Sequence, residues 1–114
     1  MQEAAALAIS AGIEAPIATA IVWAARWESR GALHAGLAAA VATAVTHPQL
    51  WEAAMWAYPR FGYWPSLAVL ESMVVGVEAL LIAWMAGLRL HRAFLVSLAA
   101  NIASCAAGLA IQWW

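Results

Sequence analysis

The sequence predicts an all-α integral membrane protein of four transmembrane helices, built as two similar helical hairpins with an aromatic interfacial loop between spans two and three. Three observations carry that prediction. Of the 114 residues, 67% are hydrophobic and 10% charged, whereas soluble domains hold about 25% charged residues, so the solvent of most of this surface must be lipid. Apolar runs of about 20 residues, sufficient to cross hydrocarbon at ~1.5 Å per residue, recur along the chain. Finally, Gly12-Ile13-Glu14-Ala15 returns 64 positions later as Gly76-Val77-Glu78-Ala79. A chain this short makes one membrane domain, 1–114.

The first span covers about 4–26. It is nearly all Ala, Ile, Leu and Val, interrupted by Ser10, Glu14, Pro16 and Thr19, and it ends in Trp23, Arg26 and Trp27. No basic segment precedes this run, as a secretory signal would require, so the span is expected to be retained. Glu28-Ser29-Arg30-Gly31 then turns the chain. An alanine-rich second span, about 32–47, ends at His47-Pro48, because proline disfavours helical geometry in the residue before it. Residues 49–65 carry Trp51, Trp56, Tyr58, Phe61, Tyr63 and Trp64. Amphipathic rings favour the headgroup level, which predicts a loop lying on the membrane surface, either a plain connector or a lid. The third span, about 66–88, follows Pro65, a residue suited to a helix start. The fourth runs from about 93 to Trp113-Trp114.

Arg26, Arg30, Arg89 and Arg92 fall in the turns after spans one and three, against Arg60 alone at the other end. By the positive-inside rule those turns are cytoplasmic and both termini lie outside, in what is expected to be a bacterial or archaeal inner membrane. The tryptophans fit four crossings. Trp23, Trp27 and Trp84 fall near one surface and Trp51, Trp56, Trp64, Trp113 and Trp114 near the other.

The echo around Glu14 and Glu78 extends to the second helix of each hairpin. Gly36, Ala40, Thr43 and His47 have the same spacing as Ser97, Asn101, Ser104 and Gly108, and offsets of four, three and four put each set on one helix face. Two such copies, each crossing twice, would enter the membrane in one orientation and relate by a pseudo-two-fold along its normal. Stripes of small residues also serve plain helix packing in lipid, since they let backbones approach.

Ionisable residues within the hydrocarbon cost about 2.5–3.5 kcal/mol each on insertion scales, and they face the bundle interior or a water cavity. Glu78 lies ~15 Å along its helix from the cytoplasmic end, and Glu14 and Asn101 are comparably central. These three, with Glu71 one heptad before Glu78, are the candidate proton- or cation-binding residues. Two neighbouring carboxyls titrate as a pair, which is the behaviour of a proton carrier or cation site. The other reading is a protonated glutamate that hydrogen-bonds Asn101 or a backbone carbonyl and serves helix association. Pro16 removes the hydrogen bond to the Gly12 carbonyl and frees an acceptor within a turn of Glu14. His47 and Glu71 form a candidate outer vestibule; the two lack the spacing of a metal site, and an interfacial His more commonly caps a helix than binds a metal. His34 and His91, beside arginines, read as headgroup contacts.

Length, four spans and a glutamate at position 14 resemble the small multidrug resistance transporters, in which a first-span glutamate binds protons and cationic drugs in a dimer. That resemblance implies the same role for Glu14. The chain departs from the pattern: a lysine expected later in the first span is absent, as is the glycine-rich third-span pattern, and Glu71 and Glu78 are additional. It is not assigned to that family on these residues.

A net charge of −1 and the absence of Lys and Asp exclude an electrostatic nucleic-acid binder and the usual acidic metal loops. Cys105 alone can make no internal disulfide. Nothing resembles a nucleophile with its base, a phosphate-binding loop or a haem-ligating pair, so neither enzymatic activity nor a cofactor is expected. The expected partners are the bilayer and either further copies of the chain or other membrane subunits, because four short helices enclose little volume. Two functions follow: proton- or cation-linked transport through the paired glutamates, or an accessory role in a larger respiratory or photosynthetic membrane complex, where eight tryptophans would pack against partners.

Overall fold

The computed structural model describes residues 3–27 and 31–112. Within them the chain forms four helices and no strand: α1 (Glu3–Ala25), α2 (Ala32–Phe61), α3 (Tyr63–Ala86) and α4 (Leu90–Gln112). Helices α1, α3 and α4 are long and apolar enough to cross a membrane. The turn Glu28-Ser29-Arg30 and the terminal Trp113 and Trp114 lie outside the described residues. Each helix packs on the next and α4 closes on α1, giving a four-membered ring of antiparallel neighbours 43 Å along its longest axis.

The aromatic segment is helix rather than loop. α2 runs unbroken for 30 residues, through Pro48 and Pro59, so it continues past the expected end at His47 and takes up residues 49–61 of the expected surface loop, while 63–65 open α3. Proline at position 48 removes one backbone bond, to the carbonyl of Ala44. Both residues are on the exposed face, while Ala54 and Ala57 beyond them are buried and keep the helix docked. Tertiary packing outweighs the local proline rule here. The helix stops instead at Gly62, whose φ of 89° suits glycine and whose N–H donates to the Tyr58 carbonyl at 3.1 Å. Arg60 covers another terminal carbonyl, that of Trp56, at 2.6 Å. α3 consequently begins at Tyr63, three residues before the predicted start, with Pro65 in its first turn, where a missing N–H costs nothing.

The large apolar side chains point outward: Trp23 is 76% exposed and Trp84 75%, and Leu33, Leu37, Met73 and Leu80 follow suit. An apolar surface of this breadth, with three helices long and apolar enough to span, suggests membrane association. The interior is made of small residues. At the end that carries Arg26, Arg89 and Arg92, Ala18, Ala35, Ala39, Ala42, Ile82 and Val96 form a closed apolar core. Helices α1 and α2 touch most closely at Gly36, where a Cβ would collide with Thr19 Oγ1 and sit 2.9 Å from the Ala15 carbonyl oxygen. Only glycine fits, the small-residue logic of helix contacts in lipid. Arg92 stacks over Trp27 at 5.5 Å, and His34, read from sequence as a headgroup contact, lies with Nε2 3.0 Å from the Met85 carbonyl oxygen, tying α2 to the end of α3.

Candidate functional site

One turn beyond that apolar core the interior becomes polar. Glu14 on α1 is 2% exposed, Glu78 on α3 3% and Asn101 on α4 6%, so the three residues singled out for their central positions are all buried. They meet within one chain. The carboxyls of Glu14 and Glu78 are neighbours there, both lining one cavity. The echo Gly-Ile-Glu-Ala and Gly-Val-Glu-Ala thus brings its glutamates to one spot, while Gly12 and Gly76 have open space where a Cβ would be and mediate no close approach in the chain.

Helices α2 and α4 supply the polar partners. Thr43 Oγ1 lies 2.6 Å from Glu14 Oε2 and 3.0 Å from the Ala39 carbonyl oxygen. Thr46 Oγ1 lies 2.9 Å from Glu78 Oε1 and 2.9 Å from the Ala42 carbonyl oxygen. Asn101 donates from Nδ2 to Glu78 Oε2 at 2.9 Å and to the Ser97 carbonyl at 2.8 Å. The Ser97 carbonyl can only accept, so it fixes the amide with its nitrogen on that side. Ser97, on the same stripe, donates instead to the Val75 carbonyl at 2.9 Å and stitches α4 to α3 just below. Glu14 Oε1 is buried with no donor in reach.

The pair forms the floor of a vestibule. A cavity of about 760 Å³ runs from Glu14, Glu78 and Asn101 to the end of the bundle that holds the start of α1 and the finish of α4. At ~30 Å³ per molecule it has room for some two dozen waters. Glu71 and His47 both line it, so the two residues expected in an outer vestibule share one wall-lined space. His47 is 7% exposed, its ring stacks on Trp51 at 6.0 Å between centroids, and Nδ1 has no partner. Higher up, Tyr58 and Tyr63 bring α2 and α3 together, with ring centroids 5.0 Å apart, and both face the cavity. Among the described residues, no three His, Cys, Asp or Glu side chains converge as a metal site would require.

Thr46 was invisible to the sequence reading, and Thr43 entered only as part of a small-residue stripe. Their three-residue spacing, one helical turn apart in the middle of an alanine-rich helix, is the signal that was there to find. Trp51, Tyr58 and Tyr63, expected as surface anchors, line the cavity instead, because α2 continues past Pro48. Comparison with known proteins adds no constraint to this geometry: no protein-family model, curated protein or solved structure matches the chain.

Proposed function

We propose that the chain is a small multi-pass membrane protein that moves protons or small cations through a mid-membrane site formed by Glu14 and Glu78. Asn101 holds Glu78, and Glu71 and His47 line the approach. The observation that carries the reading is the meeting of two carboxyl groups, one from each hairpin, at the buried floor of a cavity wide enough for water. Burying even one ionised carboxyl in hydrocarbon is costly, and two in contact repel, so a positive partner between them is strongly favoured. A site that gains by taking up a positive charge, and that opens to one side, is the half-loaded state of a carrier. Passage then requires the apolar core at the arginine end to part. On this reading the two hairpins act as copies about the pair, both termini lie outside, and the setting is an inner membrane.

The test is flux. With the protein reconstituted in lipid vesicles, the double variant Glu14→Gln/Glu78→Gln should lose proton or cation movement down to the level of empty vesicles while its helical content and unfolding midpoint stay near those of the parent. Unchanged flux in a folded double variant contradicts the proposal.

A second reading, an accessory subunit of a larger membrane complex, draws on the unbroken apolar core at one end and on the breadth of the apolar outer faces, Trp23 and Trp84 included. Native mass spectrometry after mild extraction from its own membrane separates the two. A defined small oligomer favours transport, and recovery within a larger assembly favours the subunit.

A further inference from the structure

Each glutamate of the pair touches a threonine hydroxyl that has a single hydrogen and more than one acceptor in reach, Thr46 having a third in the Thr43 carbonyl at 3.4 Å. Thr43 Oγ1 sits between Glu14 Oε2 at 2.6 Å and the Ala39 carbonyl at 3.0 Å. Thr46 Oγ1 sits between Glu78 Oε1 at 2.9 Å and the Ala42 carbonyl at 2.9 Å. A hydroxyl donates once and accepts through two lone pairs, so it can bond only one of these oxygens as donor at a time. When the glutamate is ionised, the threonine hydrogen points to the carboxylate. When the glutamate is protonated, the carboxylic O–H donates to the threonine oxygen, and the threonine hydrogen turns to the carbonyl four residues back. In both states the threonine hydrogen has an acceptor, and the only change is one proton added to the carboxyl and one hydroxyl rotated.

We infer that Thr43 and Thr46 are proton switches that make the Glu14–Glu78 pair a site for protons rather than for metal cations. The inference rests on the transport reading of the same site and names its ion. The donor set agrees with it. Asn101 turns its amide nitrogen, not its oxygen, toward Glu78, so a metal ion would meet hydrogens where it needs oxygen ligands. Of the four carboxyl oxygens of the pair, Glu14 Oε1 is buried with no hydrogen-bond partner. Thr43 and Thr46 are positioning residues in this scheme, holding the proton's acceptor in register without themselves gaining or losing a net proton. The other titratable side chains facing the cavity are His47 and Tyr58 on α2, Glu71 and Tyr63 on α3, and Cys105 on α4; α1 contributes none besides Glu14.

Infrared titration of the purified protein in lipid tests the switch without requiring flux. The carbonyl stretch of a protonated carboxyl, assigned to the pair by its loss in Glu14→Gln and Glu78→Gln but not in Glu71→Gln, is the readout. Thr43→Val and Thr46→Val should move the frequency of that band. Its titration midpoint should stay within about half a pH unit, because both protonation states lose a bond, whereas a fixed donor to the ionised form alone would move the midpoint by about one unit or more. Thr43→Ser and Thr46→Ser should restore the parent band. In the unmutated protein, Na⁺ or K⁺ at constant pH should leave the band in place, a measurement that stands even if the valine variants do not fold. A band indifferent to both valine substitutions, a large midpoint shift, or displacement of the proton by either metal ion would overturn the inference. Glutamate-dependent flux combined with any of those results leaves the transport reading standing and removes only the switch; an intact switch without flux does the reverse.

Discussion

The two ends of this bundle are made from the same alanine-rich helices and behave as different materials. Toward the arginines, Ala18, Ala35, Ala39, Ala42, Ala86 and Ala93 pack with Ile82 and Val96 into a buried apolar core. Toward the termini, the same helical faces carry Ser10, Thr46, Glu71 and Ser104 together with Trp51 and Tyr58, and the helices stand apart around a cavity. Side-chain size at one-turn spacing decides which end is sealed. The glutamates lie at the boundary, each with a closed turn on one side, Ala18 after Glu14 and Ile82 after Glu78, and the vestibule on the other. The cavity therefore reaches the two carboxyls from one direction.

Substitutions that treat the two ends alike should expose this difference. The largest effect is expected for Gly36→Val, because the added carbons meet the Ala15 backbone oxygen, which cannot turn aside; the loss should exceed about 3 kcal/mol in equilibrium unfolding from mixed micelles, the upper range for overpacking. Ala39→Leu, in the sealed core, should cost about 1–3 kcal/mol by the same measurement. Asn101→Leu removes the donor to Glu78 Oε2 and leaves that buried carboxyl short of a partner. The expected loss is about 1–2 kcal/mol, nearer the cost of an unsatisfied buried group than the ~0.6 kcal/mol average of membrane hydrogen bonds. Ala6→Leu, the same chemical change as Ala39→Leu but facing the vestibule, should stay within about 0.5 kcal/mol of the parent. Equal costs at Ala6 and Ala39 would erase the distinction between the ends.

Much of the site was legible because position along a helix is enough to place a residue at a given depth. Glu14, Glu78 and Asn101 follow from counting residues between turns, and burial follows from the cost of leaving them in lipid. What could not be read is which donor each carboxyl finds, since that depends on how far neighbouring helices rotate. Asn101 reaches Glu78 within its own hairpin, but α2 serves both glutamates, Thr43 on one and Thr46 on the other. The proposed repeat aligns Thr43 with Ser104 rather than with Asn101, so the donors of the two glutamates sit one turn apart in the two hairpins. The course of α2 was misread for a different reason. A proline rule is local, whereas the buried Ala54 and Ala57 and the ring contacts of Tyr58 with Tyr63 are tertiary and reward continuing the helix past Pro48.

The measurement that tests the account most directly is thiol accessibility along α3. Single cysteines at Leu67, Val74, Ile82 and Ala86, in a Cys105→Ser background, would be treated in sealed vesicles with a membrane-impermeant thiol reagent applied to either side. Rapid modification is expected at Leu67 and Val74 from one side only, and none at Ile82 or Ala86 from either. Uniform modification along the helix, or protection of Leu67 and Val74 from both sides, would contradict a water-filled vestibule that ends at the paired glutamates.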